Sequence, residues 1–86
     1  MARFMVIEML RAGNSTAVYE RFFKAGRMLP PGLNFVDSWL AASDDRVFQI
    51  METEDPMLFD TWKANWDDLV EFEVIELKDK PTGTPQ

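Results

Sequence analysis

The chain has no cysteine and no histidine, and each absence closes off chemistry. Without cysteine there are no disulfides, no thiolate nucleophile and no Cys-type zinc site. Without histidine the chain lacks the usual general base near neutral pH and the usual haem and transition-metal ligand. Glycine is scarce: four residues, none clustered into a phosphate-cradling loop, so the signal for nucleotide binding is missing. Positive charge is short as well, 9 Lys+Arg against 15 Asp+Glu, which leaves no electrostatic footprint for DNA or RNA. The apolar-rich run from Phe4 to Leu10 is interrupted by Glu8 and is far too short to span a bilayer. No basic segment or small-residue cleavage site frames it, so it is not read as a signal peptide. The expectation is a cytoplasmic protein with no membrane or nucleic-acid partner.

What is present fits one small domain. Eighty-six residues suffice for a single core and not for two. Arg3 to Arg11 is rich in strand formers without a breaker and reads as a first strand. Asn14 or Ser15 then caps a helix running to about Met28, with Val18, Phe22, Ala25 and Leu29 on one stripe, ended by Pro30-Pro31-Gly32. Leu33 to Ala42 and Arg46 to Glu52, joined through Ser43-Asp44-Asp45, form an antiparallel hairpin. Asp55 as cap and Pro56 at the first helical position start a second helix to about Trp66. Leu69 to Leu77 is a fourth strand. Residues 78–86 have nothing to bury and read as a disordered tail. The order β-α-β-β-α-β over residues 1–77, with right-handed crossovers, predicts an α+β, ferredoxin-like domain: a four-stranded antiparallel sheet with two helices on one face.

Two short helices cover one face of such a sheet, so alternation should leave the other face polar. Instead Met5, Ile7 and Met9 oppose Phe4, Val6 and Leu10 in the first strand. Phe35 and Trp39 oppose Val36 and Leu40 in the second, and Phe48 and Ile50 oppose Val47 and Met51 in the third. Leaving about eight such side chains in water forgoes on the order of 15 kcal/mol as an upper bound, more than most domains' net stability. A second copy of the same sheet is the simplest cover, giving a two-fold dimer. The alternative is a monomer whose apolar face takes a ligand. Charge is also uneven: residues 1–43 carry five basic and three acidic side chains, residues 44–86 four and twelve. A mildly basic half and a strongly acidic half are a candidate source of subunit orientation.

Polar residues on the apolar strands mark where a pocket would lie, because buried polar groups are costly unless paired. Glu8 is read as paired with an arginine or lying at the dimer seam. Glu71 and Glu73 are read as protecting a sheet edge. Gln49 and Ser38 fall near each other, a simple hairpin pairing Leu40 with Gln49. Trp62 and Trp66 lie one turn apart on one helical face, either as core anchors or as an aromatic wall beside Asn65. Arg21, Lys24 and Arg27 repeat every three residues and read as a solvated basic stripe. The acidic residues Glu52, Glu54, Asp55, Asp60, Asp67 and Asp68 match no calcium-loop spacing, so no metal is assigned.

Phe4-Met-Val-Ile-Glu8, Gly13-Asn14 before Val18-Tyr19-Glu-Arg-Phe22, Gly26-Arg-Met-Leu-Pro30, and Ser38-Trp39 resemble a family of small bacterial proteins known as a domain of unknown function. So do Phe48-Gln-Ile-Met-Glu-Thr53, Asp55-Pro56 with Leu58-Phe59, Trp62 with Trp66, and Asp68-Leu-Val-Glu-Phe-Glu-Val74. The resemblance covers about residues 3–77 and implies a dimeric α/β barrel. It implies no activity. The wider barrel group includes haem-degrading enzymes and isomerases of the His–Asp type, both disfavoured by the missing histidine. It also includes cofactor-free monooxygenases that use asparagine, tryptophan, tyrosine and arginine, residue types met here in Tyr19, Arg21, Asn65, Trp62 and Trp66. The leading expectation is a cofactor-free homodimer holding a small apolar or aromatic ligand, with Glu8, Tyr19, Ser38, Trp39, Gln49, Trp62, Asn65 and Trp66 as pocket candidates. The alternative is a cofactor-free monooxygenase or isomerase acting on an aromatic or lactone-like small molecule.

Overall fold

The computed structural model of the chain describes residues 1–78 apart from Ala12 and Asn14. The proposed cap at Asn14 and nearly all of the expected tail therefore lie outside the described residues. The elements are β1 (Ala2–Leu10), α1 (Ser15–Ala25), β2 (Asn34–Leu40), β3 (Arg46–Thr53), α2 (Leu58–Lys63) and β4 (Val70–Leu77). The strands form one sheet in the order β2-β3-β1-β4, and all three pairings are antiparallel. This is the ferredoxin-like α+β arrangement that the pattern of elements predicts. β2 and β4 are the edges, so Glu71 and Glu73 do lie on an edge strand. Among the described residues no helix is long and apolar enough to cross a membrane.

The core lies between the sheet and α2. Phe4, Val6, Leu33, Met51, Phe59, Trp62, Trp66 and Val70 are buried together. Phe59 meets Phe4 edge-on at 5.0 Å between ring centroids, and Trp62 meets Phe72 likewise at 5.1 Å. Register places Phe4, Val6, Glu8 and Leu10 of β1 on this helix-covered face, beside Met51, Gln49 and Val47 of β3. Met5, Ile7, Phe48 and Ile50 occupy the open face, as alternation requires.

Three local features depart from the sequence-based expectation. A bulge at Val36 shifts β2 between Phe35 and Asp37. The extra residue reverses the alternation, so Phe35 pairs with Met51 on the helix face while Trp39 pairs with Phe48 on the open face. Phe35 and Trp39 therefore do not share a face. The same pairing sets Ser38 directly opposite Gln49, and Leu40 opposite Val47 rather than Gln49. Second, α1 stops at Ala25, not near Met28. Gly26 adopts φ 68° and its N–H donates to the Phe22 carbonyl at 2.7 Å, the left-handed stop that glycine allows at a helix end. Third, α2 proper spans only six residues. Its approach is a tight turn, with the Met57 N–H donating to Asp55 Oδ1 at 3.0 Å and the Phe59 N–H to the Pro56 carbonyl at 3.1 Å. Its exit is tight too: the Trp66 N–H donates to the Lys63 carbonyl at 2.9 Å.

Candidate functional site

The two helices cover the sheet unequally. α2 buries Phe59 and Trp62, whereas α1 has no fully buried residue. The space beneath α1 is a cleft of about 210 Å³. Val18, Tyr19 and Phe22 of α1 form one wall, Val47 and Leu40 of the β3–β2 hairpin another, and Trp62 and Trp66 the end nearest α2. Glu8, Gln49, Ser38 and Arg27 give it a polar floor. Tyr19, Phe22, Trp39 and Leu40 are each partly open to solvent and mark its mouth.

The floor is a chain of hydrogen bonds. The Gln49 amide Nε2 donates to Glu8 Oε2 at 2.6 Å. The Arg27 Nε donates to Gln49 Oε1 at 3.5 Å, and its Nη2 donates to Ser38 Oγ at 3.3 Å. Gln49 is itself almost fully buried, so its amide has a fixed orientation between a donor and an acceptor. Among the described residues no buried side-chain nitrogen or oxygen lacks a partner. Glu8 pairs directly with Gln49 and meets Arg27 only through its charge, which corrects the expectation of a direct arginine pair, and it faces the helices rather than the open face. Burial pushes its carboxyl up from an ordinary 4.5 to about 7, against the opposing pull of the Gln49 hydrogen bond and the Arg27 charge.

Arg27 organises the site from both ends. Its backbone carbonyl accepts the indole N–H of Trp62 at 2.8 Å and of Trp66 at 3.2 Å. Its guanidinium lies 3.6 Å from the centre of the Phe35 ring and 5.2 Å from that of Phe22. Desolvation lowers the guanidinium pKa from its ordinary value. The sequence-based reading placed Arg27 on a solvated stripe. The structure corrects this because α1 ends before Arg27, and helical periodicity no longer says where its side chain goes. Gly26 was the available signal. Arg21 is not solvated alone either, since both Nη atoms reach the carboxylate of Asp68 at 2.7 and 2.8 Å and depress the Asp68 pKa. Part of the charge asymmetry between the chain's halves is thereby satisfied within one copy.

Glu8, Tyr19, Ser38, Trp39, Gln49, Trp62 and Trp66 all line the cleft. Trp39 does so only at the mouth, since its register partner Phe48 puts it on the opposite face. Asn65 stands outside: its Nδ2 donates to the Met28 carbonyl at 3.3 Å, and its own carbonyl accepts from Arg21 at 2.9 Å. It braces the loop after α1, where Met28 holds a left-handed φ of 57°. Arg27, Phe22, Val18, Leu40 and Val47 are cleft residues that sequence reasoning did not single out. Among the described residues no three of His, Cys, Asp and Glu converge as a metal site.

No curated protein and no solved structure matches this chain. A family model does match residues 2–77, nearly all of the described chain. The chain belongs to that family, the domain of unknown function DUF3303.

Proposed function

We propose that the chain is a ligand-binding homodimer, each copy holding a small apolar or aromatic molecule in the cleft under α1. The observation that carries the reading is the unequal burial of the helices. A helix that packs none of its side chains fully leaves a cleft with apolar walls and a hydrogen-bonded polar floor, the composition of a small-molecule site. An engineered apolar cavity of about 150 Å³ holds benzene, so about 210 Å³ suits one substituted ring. The test is an NMR titration with a neutral single-ring probe, benzamide, read at the Trp62 and Trp66 indole N–H resonances. Saturable shifts that vanish in Val18→Trp, which fills the cleft from α1, are expected. A full set of single-ring probes that leaves these resonances unmoved would falsify the reading.

The raised pKa of Glu8, in one cleft with the Arg27 guanidinium, supports a second reading, a cofactor-free isomerase. As a carboxylate, Glu8 would take a proton from the carbon beside a carbonyl, with the Arg27 guanidinium holding the resulting enolate oxygen. Glu8 would then exchange its proton with water at the cleft mouth and deliver one at another carbon of the molecule, leaving no net oxidation or reduction. Its mark is deuterium uptake from D2O into a cyclic enone or lactone probe. The rate should fall about a hundredfold or more in Glu8→Gln; an unchanged rate would exclude Glu8 as the base.

A further inference from the structure

The chain has five arginines, and four of them carry a carboxylate partner. Arg3 meets Glu52 at 3.2 Å, Arg11 meets Glu71 at 2.9 Å, Arg21 meets Asp68 at 2.7 Å and Arg46 meets Asp45 at 3.7 Å. Arg27 is the exception among the described residues, in a chain of net charge −6. It is also half-buried, and the carboxyl nearest to it, Glu8, acts on it by charge across the Gln49 bridge without a direct contact. Its two hydrogen bonds go to neutral acceptors, Ser38 Oγ and Gln49 Oε1. The guanidinium has five N–H donors, and Nη1 makes no hydrogen bond within the described chain. The faces of Phe22 and Phe35 lie against the guanidinium, which leaves its edge for a planar acceptor in the cleft.

We propose that the ligand of this cleft is a single-ring aromatic monoanion, its carboxylate paired with Arg27 and its ring between α1 and the β2–β3 hairpin. The inference rests on the ligand-site reading above and narrows it to a chemical class. One cation matches one negative charge, so a phosphate ester dianion is disfavoured. The volume, about 210 Å³, accommodates a ring and its carboxylate. A planar carboxylate fits the guanidinium fork in bidentate fashion.

The second acid in the cleft makes the pairing pH-sensitive. Glu8, Arg27 and Tyr19 are the titratable side chains lining it. The other neighbours that face Glu8 are neutral: its register partners Val47 of β3 and Phe72 of β4, its hydrogen-bond partner Gln49, and Val6 of β1, with Trp62 and Trp66 toward α2. With Glu8 protonated the floor carries one positive charge; with Glu8 ionised it carries none. An anion therefore binds the protonated form and takes up a proton as it does so.

The test is calorimetric titration of the full chain with benzoate and with the neutral isostere benzamide, at pH 6 and pH 8. Benzoate should bind at least tenfold more tightly than benzamide at pH 6, and its affinity should fall roughly tenfold by pH 8 as Glu8 ionises about pH 7. Benzamide should show no such fall. Arg27→Met should lose the preference for benzoate over benzamide, while the Arg27 backbone carbonyl that anchors both indoles is unaltered. Equal binding of the two probes by the native chain overturns the anion inference and leaves the ligand site standing. No binding of either overturns both, and the native-chain comparison requires no variant to fold.

Discussion

Glu8 is the residue where sequence and environment disagree most, a carboxylate on the helix-facing side of a central strand. Its pairing with Gln49 and the distant charge of Arg27 only partly offset the cost of burial, and the pKa stays near 7. That shift has a consequence for stability with a definite sign. Below about pH 4.5 the carboxyl is protonated in folded and unfolded chains alike. Between about pH 4.5 and 7 the unfolded chain ionises while the folded one holds its proton, so stability falls as pH rises through that window and levels off above it. At about 1.4 kcal/mol per pKa unit the loss is on the order of 3 kcal/mol. Glu8→Gln should remove the dependence: thermal melts at pH 5 and 8 should show the variant gaining on the native chain at pH 8, with the difference shrinking towards pH 5. A constant difference across that range would refute the assignment. Residues of this kind were legible from sequence as the polar interruptions Glu8, Ser38 and Gln49 in apolar strands, whereas the register that joins them was not. Arg27 was not, because it lies one residue beyond a glycine that ends the helix, where no periodicity applies.

Among the elements, what was legible follows from how strongly each local pattern constrains the backbone. Strand parity held for β1 and β3, central strands whose residues pair on both sides. It failed on β2, an edge strand, where the bulge at Val36 reverses which side chains meet the helices. Nothing in Asn34-Phe-Val-Asp-Ser-Trp-Leu40 announces that bulge, because Phe35, Val36, Trp39 and Leu40 offer apolar residues to either face. The helices show the same contrast. α2 was recognisable from Asp55-Pro56 and the tryptophans, and it packs Phe59 and Trp62 fully. α1 was recognisable as a helix, but its amphipathic stripe says only that one face meets the sheet, not how closely it packs. The large indoles of Trp62 and Trp66 fill the space beside α2 and hydrogen-bond to the Arg27 carbonyl. Those contacts fix the loop after α1 and leave the cleft beneath the helix. The candidate site thus arises from a packing difference between two helices of one sheet, which depends on three-dimensional volume and is invisible to a one-dimensional pattern.

For the whole molecule, the open face of the sheet is the largest unsolved burial problem, and the proposed dimer is its simplest solution. Met5, Ile7, Phe48 and Ile50 form the middle of that face on the two central strands, with Met5 opposite Ile50 and Ile7 opposite Phe48. Charges lie around them: Arg3 paired with Glu52 at one end, Arg46 at the other, Asp37 on one edge strand, and Glu71 and Glu73 on the other edge strand. An apolar centre within a charged rim is the anatomy of a protein interface. Four strands of seven to nine residues present a face of roughly 500 Å². Two copies would bury about 1,000 Å², the lower limit for a specific assembly. A two-fold axis brings identical patches together, so one substitution at the centre acts twice. Ile50 is the most informative position, since it sits among Met5, Asp37 and Ile75 on that face and has no part in the cleft. Sedimentation of the native chain should give twice its 10.0 kDa mass at micromolar concentration. Ile50→Glu would bury two like charges at the centre of the interface, and should give the single-chain mass with the far-ultraviolet dichroism unchanged. A native chain that sediments as a monomer, or a folded Ile50→Glu variant that remains dimeric, would show that something other than a second copy of this face covers the sheet.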